Sequence, residues 1–291
     1  MRFLVPIKRA VKLLLMRILR VVYQWGGIDT RHISQEIIRL SSVPIGVKIA
    51  WDVVDRPQYG YGVYRAAQEA KALGLGTISV IEFGVAGGKG LLALERMATA
   101  ISAELNIRID VFGFDGGSGM PKPLDYRDLP SVWKEGFFAM NVEQLQERLT
   151  QSRLIIGNIS DTVPSFIAKY QPAPIGFVAF DLDYYSSTVQ AFGLFGGASD
   201  AYLPRVFCYF DDTIGDDWEI HSPYTGELLA IEEFNRQGPL KKIAKINGLS
   251  FKRRIPRRWN EKMYVLHHFE HPLYTQHIYP NKDWQMELRE S

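Results

Sequence analysis

Two acidic pairs carry the most pointed chemistry in this chain. "FDLDYYSST" holds Asp181 and Asp183, and "CYFDDTIG" holds Asp211 and Asp212. Each pair ends an apolar, aromatic-rich run, so each is expected at the carboxyl end of a strand, where the ligands of an open α/β sheet gather. Carboxylates converging there repel one another unless they are protonated or bind a metal. The candidate ligands are carboxylates, without cysteine or clustered histidine among them, and such hard oxygen donors suit Mg²⁺, which keeps waters and leaves room for substrate oxygens. A hydroxyl bound to such an ion loses its proton far more readily. Asp181, Asp211 and Asp212 are therefore the candidate metal ligands. The plainer alternative is that one or two of them, Asp183 or Asp212 first, cap the following helices. Candidate proton acceptors are Asp183, His221 in "DDTIGDDWEIH", and Lys134, since no histidine lies between His32 and His221.

A second constellation lies upstream, in "VIEFGVAGGKG". A phosphate-gripping loop of the G-x-x-x-x-G-K-[ST] kind fails, because Phe83 stands where the first glycine belongs and Gly90 follows Lys89. A dinucleotide fingerprint fits only when shifted to Gly88, beyond the strand end where the tight turn belongs. A third reading gives each residue work. Glu82 steadies a cationic cofactor or the loop itself, while Gly84 and Gly88 let backbone approach a ligand. Asp115, ending the next strand in "VFGFDGG", is placed to take both hydroxyls of a ribose. An acid there serves NAD and S-adenosylmethionine equally, and the missing pyrophosphate turn favours the cofactor without phosphates.

The elements that position these residues alternate. Strands are expected over 78–83, 109–114, 153–156, 176–180 and 205–210, with helices over 90–105, 142–149, 160–170, 186–195 and 226–235. Such alternation implies a mostly parallel sheet covered on both faces. "LKKIAKI" and "KMYVLHHFEH" then read as a terminal hairpin that brings an antiparallel strand into the sheet. The stretch 116–141 is too long and irregular for a plain connector and is expected to act as a substrate-side lid. Domain boundaries are expected at 1–28 (a basic arm), 29–76 (a helical cap) and 77–291 (the α/β domain). Alternation sends His267 and His268 to opposite faces, which argues against a histidine metal cluster there.

At 291 residues, 46% apolar and 23% charged, the chain has the composition of a globular α/β protein. Its one cysteine, Cys208, excludes a disulfide framework and suggests a reducing compartment, hence the cytoplasm. Six basic residues precede Asp29, the first acid, so a basic arm leads a mildly acidic body. Basic residues interrupt every apolar run of that arm, which excludes a spanning helix. An amphipathic helix fits, packing on the body or on a partner, or touching the inner face of a membrane through residues 1–24. The basic stretch "FKRRIPRR" reads as a solvated hairpin loop, or with the arm as a contact for a membrane or a phosphorylated acceptor. Nucleic acid is disfavoured, and homo-oligomerisation stays open.

In their order, spacing and strand positions, "VIEFGVAGGKG", "VFGFDGGSGMPKP", "GNISDTVP", "FDLDYYSST" and "CYFDDTIG" resemble class I S-adenosylmethionine-dependent methyltransferases. Within that class they are most similar to the macrocin and mycinamicin sugar O-methyltransferase group and its bacterial relatives. The resemblance covers residues 56–280. It implies a Rossmann-like fold, a mostly parallel seven-stranded sheet with helices on both faces and a C-terminal antiparallel hairpin. It also implies that Glu82, Gly84 and Gly88 form the cofactor loop, that Asp115 holds the ribose, and that Asn158 and Ile159 flank the adenine. Related sugar methyltransferases use a metal at the place of the aspartates. The implied reaction is methyl transfer to a hydroxyl of a sugar, in a glycan or secondary metabolite, with Mg²⁺ assistance. The acceptor would be a small molecule or glycan, free or nucleotide- or lipid-linked. The loop after Asp212 is longer than its counterpart in the macrolide enzymes, which leaves the acceptor open. Two rival readings remain, an NAD(P)-dependent oxidoreductase and a non-catalytic membrane-docked scaffold.

Overall fold

The computed structural model describes residues 30–281, so the basic arm expected over 1–28 lies outside the described residues. The chain divides into two compact units, Met1–Val54 and Asp55–Ser291. In the first, helices α1 (Thr30–Leu40) and α2 (Ile45–Ala50) are tied by the Gln35 amide, which donates to the Trp51 carbonyl at 2.8 Å.

The second unit begins with α3 (Pro57–Ala72), which Pro57 opens at the first helical position, where its missing N–H costs nothing. Strands and helices then alternate: β1 (Thr77–Phe83), α4 (Lys89–Leu105), β2 (Arg108–Asp115), α5 (Val142–Arg148), β3 (Arg153–Ile156), α6 (Ile159–Tyr170) and β4 (Ile175–Phe180). There follow α7 (Tyr185–Ala191), β5 (Tyr202–Phe210), α8 (Gly226–Arg236), β6 (Lys241–Lys245), α9 (Leu249–Lys252) and β7 (Met263–His268). The sheet order is β3-β2-β1-β4-β5-β7-β6. Strands β1 to β5 are parallel, and β7 runs antiparallel to both β5 and β6. This is the Rossmann-like sheet with an antiparallel terminal hairpin that the sequence led us to expect. The chain leaves β1 outward to β2 and β3, then crosses back to β4 on the other side of β1. Connections at the carboxyl ends of β1 and β4 therefore diverge and open a crevice.

One row of side chains sets the register at that edge. Phe114, Phe83, Phe180 and Phe210 are direct partners across β2, β1, β4 and β5, all fully buried. Adjacent rings lie 4.8, 5.6 and 4.6 Å apart, the last pair nearly parallel at 5°. Phe166 of α6 and Phe192 close over the row from the same face. A one-residue slip of any strand would send its phenylalanine to the other face. The opposite face is covered by α3, whose Gly62 passes so near the sheet that a Cβ there would lie 2.3 Å from the Phe177 ring.

Phe180→Ala should lower stability by about 3–5 kcal/mol, because it opens a cavity in the middle of this row. Phe251→Ala, at a 93% exposed position, should stay within about 0.5 kcal/mol. Urea midpoints of the two variants check the contrast; equal losses would mean that the row does not carry the sheet.

Candidate active site

A cavity of about 890 Å³ occupies the crevice. The four residues that directly follow the phenylalanine row, Gly84, Asp115, Asp181 and Asp211, all line it, so the row fixes their relative height. Asp183, Asp212, Asn158 and Ile159 line it as well. Of the residues singled out from sequence, Glu82, Gly88, His221 and Lys134 do not.

The glycine loop is held from below by Asp115. Its Oδ2 accepts the N–H groups of Val85 and Ala86 at 2.9 and 2.8 Å, and its Oδ1 accepts that of Gly117 at 2.6 Å. A carboxylate offers about four lone-pair sites, so three are spent on the loop and the remainder faces the cavity. Ala86 adopts φ 45°, a left-handed conformation that a β-carbon disfavours. Gly84 (φ 81°) is required by close approach, since a Cβ there would fall 1.7 Å from the Asp181 carbonyl oxygen. Gly88 (φ 80°) caps α4 facing Leu145, whose Cδ1 would lie 2.3 Å from an added Cβ. A side chain there would collide with α5, and Gly88 itself does not line the cavity.

Glu82 lies behind the glycine loop. Strand alternation turns it to the face opposite Phe83, where it lies 1% exposed beneath α4, accepting the Tyr59 hydroxyl at 2.6 Å through Oε1. Its Oε2 is buried without a hydrogen-bond partner, and a Cβ on Gly90 would fall 1.8 Å from Oε1. Burial pushes the Glu82 carboxyl up to about 8, so at neutral pH it keeps its proton. It stands behind the loop, outside the cavity lining.

The aspartates are unequal. Asp181 faces Arg56 across 3.6 Å, while Asp211 accepts the Tyr209 hydroxyl and lies 3.4 Å from Lys262 Nζ. Asp212 is 6% exposed, and its Oδ2 accepts the N–H of Asp183 at 2.9 Å, holding Asp183 in a left-handed conformation (φ 59°). The Asp212 N–H in turn reaches Glu227 Oε2 at 2.9 Å. Burial pushes both Asp212 and Glu227 well above the usual carboxylate range. Asp212 thus ties the turn after β4 to the end of β5, and it does not cap the helix that follows it. Burial, then the neighbouring Asp211, raises Asp181 to about 7; burial, then Asp181, raises Asp183 to about 7. The oxygen donors and their surplus negative charge are of the kind that suits a hard divalent cation. Among the described residues, however, no three His, Cys, Asp or Glu side chains are gathered so as to hold one.

The 116–141 stretch lines the cavity through Met120, Trp133 and Phe138 among others. It is pinned by Asp128, whose Oδ2 accepts Leu124 N–H and Ser186 Oγ–H and whose Oδ1 accepts Ser186 N–H. Lys134 is exposed and outside the lining. The His221 imidazole is 3% exposed, with neither ring nitrogen hydrogen-bonded, 3.7 Å from Glu219, which does line the cavity. Burial lowers its pKa, keeping it neutral. Sequence reasoning missed Arg56, Tyr59, Tyr209 and Lys262. The recurring Phe-Gly and Phe-Asp steps at 83–84, 114–115, 180–181 and 210–211 were a signal for the common edge.

No family model matches the chain, and no curated protein does. Among solved structures, the chain is similar to the calicheamicin methyltransferase CalS11, with 20% identity over 83% of this chain and 91% of that one, at a TM-score of 0.49. It is similar to the O-methyltransferase NovP, with 13% identity over 72% and 79% of the two chains, at 0.48. It is also similar to the methyltransferase MycE of mycinamycin biosynthesis, solved with Mg, SAH and mycinamycin VI, with 14% identity over 66% and 44%, at 0.35.

The state of Glu82 is open to test. Its folded pKa of about 8 lies above the ordinary 4.5. Between those values the folded protein holds a proton that the unfolded chain has lost, so this group lowers stability as pH rises through the window. The slope is at most about 1.4 kcal/mol per pH unit. Glu82→Gln should flatten the stability–pH curve between pH 5 and 7.5 in urea titrations. An unaltered slope would show Glu82 ionised.

Proposed function

We propose that the protein is an S-adenosylmethionine-dependent O-methyltransferase whose acceptor is a hydroxyl, most simply that of a sugar. One observation carries the cofactor choice. The loop amides that a nucleotide diphosphate would need, those of Val85 and Ala86, already donate to the Asp115 carboxylate. A diphosphate would meet that carboxyl group at close range, whereas S-adenosylmethionine has no phosphate and carries a positive charge on its sulfur. Support also comes from the five sequence blocks that resemble class I methyltransferases and from the sheet order that the resemblance implies.

In this reading the remaining acceptor site of Asp115 takes a ribose hydroxyl, and Asn158 with Ile159 borders the base. When bound, S-adenosylmethionine supplies a methyl group on a positively charged sulfur, open to in-line attack by oxygen. The chain's part is to align the acceptor, exclude water and take up its proton. Asp183 is the base in the cavity: its affinity for a proton lies near neutrality, and Asp212 fixes its backbone. As the O–CH₃ bond forms and the S–CH₃ bond breaks, the hydroxyl proton passes to Asp183. Trp133 and Phe138 shield the reacting atoms from solvent. Magnesium, if it takes part, would fall to Asp181 and Asp211, whose present partners are side chains able to turn away. It would supply a Lewis acid that acidifies the acceptor hydroxyl.

Calorimetric titration should show S-adenosylhomocysteine binding and no binding of NAD(H); the reverse ends the reading. Asp183→Asn should cut methyl transfer to sugar acceptors by about 10²–10⁴ with S-adenosylhomocysteine affinity nearly intact, and unchanged turnover would remove Asp183 as the base. Asp181→Ala and Asp211→Ala should likewise abolish transfer and spare cofactor binding.

A further inference from the structure

Strand directions put the basic stretch "FKRRIPRR" at the mouth of the cavity. β6 runs antiparallel to β7 and β7 antiparallel to β5, so β6 runs with β5. The connection leaving β6 at Lys245 therefore emerges at the edge where Phe210 and Asp211 stand. That connection touches the cavity wall: the Arg258 guanidinium donates to the carbonyls of Ile214, at 3.3 Å, and Gly215. Ile214 and Glu219 of the same loop line the cavity itself.

The two adjoining loops carry side chains that folding leaves outside. Phe251 is 93% exposed, Trp218 85%, Ile220 77% and Tyr224 75%. Trp218 is held in that position, since its N–H and that of Glu219 both donate to Asp216 Oδ1 in a local turn. Scattered single apolar residues need no explanation, but several on two touching loops beside a cavity mark an interaction surface. Around them stand Lys252, Arg253, Arg254, Arg257 and Arg258. Arg253 is fixed over the rings of Tyr61 and Trp259, at 5.4 and 5.1 Å. The acids nearby are Asp216, Asp217, Glu219 and Glu261. Of these Asp216 is taken up by the turn, and Glu261 pairs with Lys245 at 2.7 Å.

We propose that this surface, Trp218–Tyr224 together with Phe251–Arg258, docks on an anionic lipid bilayer, so that the cavity opens toward the membrane surface. Protruding Trp, Phe and Ile suit the headgroup boundary, and the surrounding basic residues supply charge complementarity to anionic lipid. A nucleic-acid partner fits less well, because Ile220 offers neither charge nor a stacking face and the adjoining cavity is lined by carboxylates. Among the described residues no helix is long and apolar enough to cross a membrane, so the contact is peripheral. The proposal does not depend on which cofactor the cavity holds.

The test is flotation of the full-length protein with phosphatidylcholine vesicles, with and without phosphatidylglycerol. The N-terminal arm stays intact in every variant, so any difference reads the surface alone. The wild type should float with the mixed vesicles only. The double variants W218S/F251S and K252E/R257E should each lose about ten-fold in the bound fraction with unaltered melting. Brominated lipid should quench tryptophan emission, and W218F should remove part of that quenching. Flotation of both double variants at the wild-type level, or quenching that W218F leaves unchanged, overturns the proposal. So does a single-stranded oligonucleotide that binds more tightly than the vesicles and loses affinity in K252E/R257E.

Discussion

Four phenylalanine rings, stacked across β2, β1, β4 and β5, hold this molecule's candidate chemistry in place. Each ring ends its strand's buried run, and the next residue is Gly84, Asp115, Asp181 or Asp211. Because the rings pack in direct register, the residues that follow emerge at one level along the sheet edge. The aromatic contacts contribute on the order of 0.5–1.5 kcal/mol per pair beyond their burial. Their larger consequence is geometric. Carboxylates so placed can meet one bound molecule, and no loop has to be stiff to arrange it.

Above that edge, charge is managed by substitution of partners. The Asp115 carboxyl group occupies two amides of the glycine loop and fixes their direction. Arg56 and Lys262 answer Asp181 and Asp211, while burial raises the proton affinity of Asp212 and Glu227. Two of the non-glycine residues with left-handed backbone are Ala86 and Asp183. Such conformations persist where the surroundings over-determine them, and here each is fixed by an N–H bonded to a carboxylate.

Strand and helix identities were legible because the buried strands are continuous apolar runs and the helices are amphipathic. The start of β5 was not, since Pro204 obscures a strand that begins at Tyr202. The cavity aspartates were legible by position and less so by role. Asp212 differs from Asp211 only in which way the chain turns after Phe210, a matter of backbone angles that no spacing encodes. The period-two rule was enough to place Glu82 outside the cavity lining: a residue adjacent to Phe83 must face away from the aromatic row. Arg56 and Lys262 reach Asp181 and Asp211 from distant parts of the chain, and single-sequence patterns carry no such pairings.

The insertion of β7 between β5 and β6 has a consequence for how the molecule comes into being. Until residues near His268 have been synthesised, β5 has an unpaired edge along Arg205–Tyr209, in the most aromatic strand of the sheet. An unpaired apolar edge is a template for association with other chains. A nascent chain halted before β7 would hold every aspartate of the candidate site on an unfinished sheet.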